Sequence, residues 1–145
     1  MQMATEAAGL GQSAARLGAA SKGKIWTGRI LSGLVVLFLV FDAVLKFFKP
    51  AAVVEAFAHV GYPISLVYTL GILLLACTAL YVIPRTSVLG AILLTGYLGG
   101  AVATHLRVGD PLLSHVLFPT YLGLLLWGGL YLREGRLRGL VPLRK

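Results

Sequence analysis

Four apolar runs, Ile30 to Phe48, Ile64 to Val82, Val88 to Leu106 and Leu112 to Leu132, leave this chain few ways to fold. Each is close to the roughly 20 residues a helix needs to cross ~30 Å of hydrocarbon. Lipid offers no partner to peptide N–H and C=O groups, so such a run is stable there as a helix that closes its own hydrogen bonds. Short connections favour antiparallel neighbours. The expected fold is all-α, an integral membrane four-helix up-down bundle with spans 30–48, 64–82, 88–106 and 112–132 inside a unit covering 26–134. A mean hydropathy of +0.88 with 58% hydrophobic residues excludes an ordinary soluble domain.

The net charge of +8 is read as membrane topology. The basic residues form no stripe with interleaved aromatics on a soluble element, so nucleic acid is not an expected partner. Arg16, Lys22, Lys24, Arg29, Arg85, Arg133, Arg136, Arg138, Arg144 and Lys145 fall at one face, and Lys46, Lys49 and Arg107 at the other. That bias predicts a multi-pass protein with both termini in the cytoplasm. Residues 1–25 are expected to form a disordered or loosely helical cytoplasmic tail, and 135–145 a basic cytoplasmic tail. No secretory signal is expected in Met1 to Lys24, which lacks a continuous apolar core. The single cysteine, Cys77, excludes an intrachain disulfide and a two-cysteine relay.

Between the first two spans, Ala51 to Val60 reads as a short interfacial helix started by Pro50, with Glu55 and His59 on one side. Gly61, Tyr62 and Pro63 then turn the chain. In the turn from Arg107 to Pro111, Asp110 is placed to cap the fourth helix and Pro111 to open it. The GxxxG at Gly96 and Gly100 predicts close packing of the third span inside the bundle, with Gly28, Ser32, Gly123, Gly128 and Gly129 as weaker versions.

Ionisable groups inside hydrocarbon are costly, so those that persist mark a candidate site. Asp42 lies six residues before the outer end of the first span, roughly 9 Å deep, and Lys46 follows one turn later in the order that favours an ion pair. His105 and Arg107 stand at the exit of the third span. His115 lies roughly 5 Å inside the fourth. These five residues share one layer, which Glu55, His59 and Asp110 can roof. Tyr97, Thr104 and Tyr121 are secondary candidates. Pro119 removes the hydrogen bond that the His115 carbonyl would otherwise accept. Two imidazoles, a free carbonyl and Asp42 suit hydrogen bonding to a quinone headgroup, or ligation of a metal or haem. The spacing fits no compact zinc motif, and haem calls for stronger context. An ion pair that only anchors the helix is the structural alternative. No Walker loop, GxSxG, HExxH or dinucleotide fingerprint is present.

These residues carry a resemblance. In FDAVLKFFKP, in GILLLACTALYVIPRTSVLGAILLTGYLGGAVATHLR and in HVLFPTYLGLLLWGGLYLR, the chain resembles the DoxX-like family of small four-helix bacterial membrane proteins, over about residues 26–143. The resemblance implies a bundle in the bacterial cytoplasmic membrane with Asp42, Lys46, His105 and His115 in its site. Relatives include a subunit of thiosulfate:quinone oxidoreductase and a membrane partner of thiol-transfer proteins. It thus implies an accessory subunit of a redox or quinone-linked system, with a redox protein as partner, rather than an autonomous enzyme. Animal relatives in receptor assembly keep a non-enzymatic scaffold or chaperone open, and homo-oligomers are compatible with either role.

Overall fold

The computed structural model describes the backbone of residues 2–135 and 137, and side chains within 22–135 and 137. Five α-helices follow one another: α1 (Gln2–Phe48), α2 (Ala51–His59), α3 (Leu66–Val82), α4 (Ser87–Val108) and α5 (Phe118–Arg133), with a π-type turn over Leu112–Val116 before α5. Among the described residues there is no strand. Helix α1 is continuous from Gln2, through residues that the sequence reading assigns to a tail. Its alanines have the best helix propensity of any residue. The basic segment after residue 135 lies outside the described residues apart from Leu137, which is buried.

Each helix contributes a stripe. On α1 the buried positions among those described are Gly28, Ser32, Val35, Leu39, Ala43 and Lys46, a three-four spacing that keeps one face inward for five turns. On α3 they are Val67, Gly71, Leu74, Cys77, Thr78 and Tyr81, and on α4 Ser87, Gly90, Ala91, Leu94 and Leu98. Helix α1 packs along both α3 and α5, α3 packs on α4, and α4 on α5. The outward faces are as greasy as the core, with Leu34, Leu37, Phe41, Ile72, Ile92 and Leu124 exposed. Apolar residues on both sides of a helix are expected where the solvent is lipid.

Three helical stretches, Lys22–Phe48, Ser87–Val108 and Leu112–Arg133, are long and apolar enough to cross a membrane. Helix α3 is apolar but shorter, at 17 residues. Its start slips from the expected Ile64 to Leu66 because the chain leaves Pro63 in tight turns, with Leu66 N–H on the Pro63 carbonyl and Val67 N–H on that of Ile64. The expected opening of the last span is also corrected. Pro111 precedes a π-type turn rather than an α-helix, and no side chain caps that turn. Asp110 is occupied elsewhere, as described below.

The end of the molecule away from α2 is closed by close backbone approach. A Cβ on Gly129 would lie 2.6 Å from Ser32 Oγ, and one on Gly28 would lie 2.8 Å from the Gly129 carbonyl oxygen. Small residues at this crossing let α1 and α5 touch. The same end holds a buried polar network: Ser32 donates to the Tyr81 hydroxyl at 2.9 Å, and Tyr81 donates to the Leu126 carbonyl at 2.8 Å. Arg133 donates to the Tyr81 carbonyl at 3.0 Å and stacks over its ring. The GxxxG glycines of α4 behave differently from expectation. A Cβ on Gly96, Gly99 or Gly100 would meet no atom within 4 Å, so the tight packing expected there lies instead at Gly28, Gly129 and, at the start of α4, Gly90, whose Cβ would run into the Tyr81 backbone nitrogen.

Candidate functional site

Toward the α2 end the fully buried rows stop, on α1 at Ala43 and Lys46 and on α4 at Leu98. Beyond them the space between helices is a cavity of about 480 Å³. All five helices contribute to its wall: Leu39 and Phe38 from α1, Phe57 from the roofing α2, Leu70 from α3, Tyr97 and Ala101 from α4, and Pro119 and Leu122 from α5. Gly96 and Gly100 are part of that wall, so the missing side chains leave space for the cavity instead of for a neighbouring helix. Its polar groups come from Asp42, Lys46, Tyr62, Thr104 and His105. A mostly apolar pocket of several hundred Å³ with a few convergent polar groups is the usual form of a small-molecule site.

The Lys46 ammonium reaches Asp42 Oδ2 at 2.5 Å, and the lysine side chain is only 11% exposed. Position 46 continues the buried stripe of α1, so the helix periodicity itself carries the charge inward. Gly71 on α3 makes room: a Cβ there would lie 3.3 Å from that of Lys46. Asp42 stands one turn earlier and more open, and closes the pair.

The other polar group is built by a turn. Gly109 ends α4 in the left-handed conformation (φ 76°), its N–H on the Leu106 carbonyl, and the next N–H, of Asp110, returns to the His105 carbonyl at 3.1 Å. This is a Schellman closure, for which glycine is the natural residue. It folds Asp110 back over the last turn of α4. There its Oδ2 accepts from His105 Nδ1 at 2.6 Å, and its Oδ1 accepts from His59 Nε2 on α2 at 2.7 Å. The hydrogen bonds from His105, then from His59, hold the Asp110 carboxyl below the ordinary carboxylate range.

The structure thus gathers Asp42, Lys46, His105, Tyr97 and Thr104 around one cavity. Arg107, His115, Glu55, His59 and Tyr121 do not line it. Arg107 donates to the Val60 carbonyl and so ties down the carboxyl end of α2. Tyr62 supports the same roof, its hydroxyl donating to Thr104 Oγ1 at 2.9 Å. The π-type turn carries His115 outward, where it is exposed and hydrogen-bonded with Ser114 Oγ at 2.8 Å. Its ring still stands 6.1 Å from that of His105. Glu55 and Tyr121 are exposed. Among the described residues, no three His, Cys, Asp or Glu side chains are grouped to hold a metal ion. The sequence reading took Asp110 as a cap and as part of the roof, without its pairing to the two histidines. The signal available was Gly109 immediately before it, four residues after His105.

Fold and cavity define an all-helical membrane protein with an amphiphilic chamber near one end. The chain belongs to the DoxX-like family, whose pattern matches residues 30–129. No curated protein and no solved structure matches it significantly.

Proposed function

We propose that the chain is a four-span up-down bundle of the bacterial cytoplasmic membrane, with both termini in the cytoplasm, α2 at the outer face and α3 as a short span. The distribution of its basic residues supports that orientation. Within it, the protein serves as an accessory subunit of a redox or quinone-linked system, holding a small apolar ligand in the outer half of the bundle while a partner protein supplies or removes electrons. The observation that carries this reading is the cavity of about 480 Å³ with Lys46, Thr104 and His105 in an otherwise apolar wall. The Lys46 ammonium can donate to a quinone's carbonyl oxygen, the His105 imidazole can accept from the hydroxyl of its reduced form, and Phe38, Phe57 and Phe118 suit its ring and tail. When bound, a quinone would supply two-electron acceptance. The residues of the chain would orient it and exclude water.

The test is titration of the purified protein with a short-chain benzoquinone. Saturable binding is expected, and it should weaken at least about tenfold in a Lys46→Met/His105→Ala double variant. Absence of saturable binding to the wild type would overturn the reading. A second reading, a non-enzymatic scaffold or assembly chaperone, draws support from the bare glycine face of α4 at Gly99, which leaves room for a partner helix. Purification with native lipids followed by mass spectrometry separates the two. A copurified quinone favours the first, and a stoichiometric membrane protein without small molecule favours the second.

A further inference from the structure

One set of side chains crosses the roof. His105 lines the cavity and is 30% exposed, Asp110 is 9% exposed, and His59 on the far side is 59% exposed. They form an unbroken hydrogen-bonded chain, His105 Nδ1 to Asp110 Oδ2 at 2.6 Å and Asp110 Oδ1 to His59 Nε2 at 2.7 Å. We infer that this imidazole–carboxylate–imidazole chain is a proton relay between the cavity and the water at the α2 face, serving a ligand that carries an ionisable hydroxyl.

The proposal rests on the cavity being a ligand site. Its chemistry follows from the contacts. Donation from Nδ1 to Asp110 fixes the neutral tautomer of His105, and leaves Nε2 with its lone pair as the proton acceptor. A carboxylate behind an imidazole also stabilises the imidazolium that forms. The ligand's hydroxyl proton passes to His105 Nε2. The Nδ1 proton then passes to Asp110 Oδ2, the protonated carboxyl group rotates to bring that proton to His59, and His59 Nε2 accepts it once that ring has exchanged its Nε2 proton for one on Nδ1 through water. His59 finally releases its Nδ1 proton to water. One proton enters and one leaves, the ligand oxygen keeps the electron pair of the broken O–H bond, and no electron is exchanged with the chain.

The neighbouring charges leave the route clear. On α1 the Asp42 and Lys46 charges neutralise each other. On α4 Arg107 is engaged with the Val60 carbonyl, and on α2 Glu55 lies one turn before His59 at the exposed surface. His115, beside His105, is hydrogen-bonded with Ser114. The relay also explains why a carboxylate that could cap the following helix is committed to two imidazoles.

The experiment uses the purified full-length chain in detergent and an alkyl-tailed nitrophenol as probe, whose ionisation is read by absorbance. Saturable binding is measured first. The bound probe is then followed after a pH jump in stopped flow. In His59→Ala and Asp110→Asn, binding is expected to persist, because Arg107 and Tyr62 still seat α2. Ionisation of the bound probe should slow by about tenfold or more in both, and free imidazole should restore the rate in His59→Ala alone. An unchanged rate in either variant, or slowing in His59→Ala that imidazole does not restore, overturns the relay. Failure of the wild-type chain to bind the probe saturably overturns the cavity reading and the relay with it.

Discussion

Lys46 carries the charge balance of the cavity. Its ammonium lies on the buried stripe of α1 with Asp42 as its ion-pair partner. Removing one member of a desolvated pair leaves the other uncompensated, at a cost of about 3–5 kcal/mol when burial is complete, whereas replacing both by apolar groups can be neutral. The Asp42 side chain is 40% exposed, so solvent screening brings the cost below that range. Asp42→Asn is therefore expected to lower thermal stability in detergent by about 2–3 kcal/mol, with Asp42→Leu/Lys46→Met regaining most of it. Equal melting temperatures for Asp42→Asn and wild type would count against the pair as a structural element. The i, i+4 order of acid and base is legible in the sequence, because helix periodicity is local. That His115 points away from His105's carboxylate is not, because one π-type turn changes its direction.

At the scale of elements, α2 is a lid held by polar contacts near its carboxyl end: Arg107 on the Val60 carbonyl, Tyr62 on Thr104, and His59 on Asp110. Only the last involves an acid. Since the folded chain lowers the Asp110 pKa, this contact contributes fully above the ordinary carboxylate value of about 4 and is lost as pH falls through the lower folded value. A spin label at position 55 should accordingly gain mobility only below about pH 4, and Asp110→Asn should abolish that dependence. Gly109→Ala tests the turn that places Asp110. At φ 76° an alanine is strained by about 1 kcal/mol or more, so it should lower stability and raise label mobility at neutral pH. The short helix α2 and the turns were legible from Pro50, Gly61 and Pro111. The partners of their polar side chains were not, because His59 and Asp110 are 51 residues apart in sequence.

Across the whole molecule, the two ends are made differently: one by glycines that bring backbones together, the other by glycines that leave space. Gly129→Ala would drive its Cβ into Ser32, whose backbone nitrogen would lie at 2.9 Å, and is expected to cost about 1–3 kcal/mol. Gly96→Ala and Gly100→Ala meet no neighbour and should leave the melting temperature close to that of the wild type while narrowing the cavity. Thermal unfolding of the three variants in one detergent checks the contrast, and the reverse order would refute it. The apolar runs by themselves determined an all-helical membrane protein, for in lipid a backbone has few other ways to satisfy its hydrogen bonds. They also carried the polar residues Asp42, Lys46 and His105 to neighbouring depths, because rise per residue is a property of the helix alone. Which glycines close contacts, which imidazole faces the cavity and which acid joins the two histidines were decided only by tertiary structure. Those outcomes depend on the rotation of each helix and on single turns at its ends, where Gly109 and the π-type turn after Pro111 redirect side chains without altering the hydrophobic pattern.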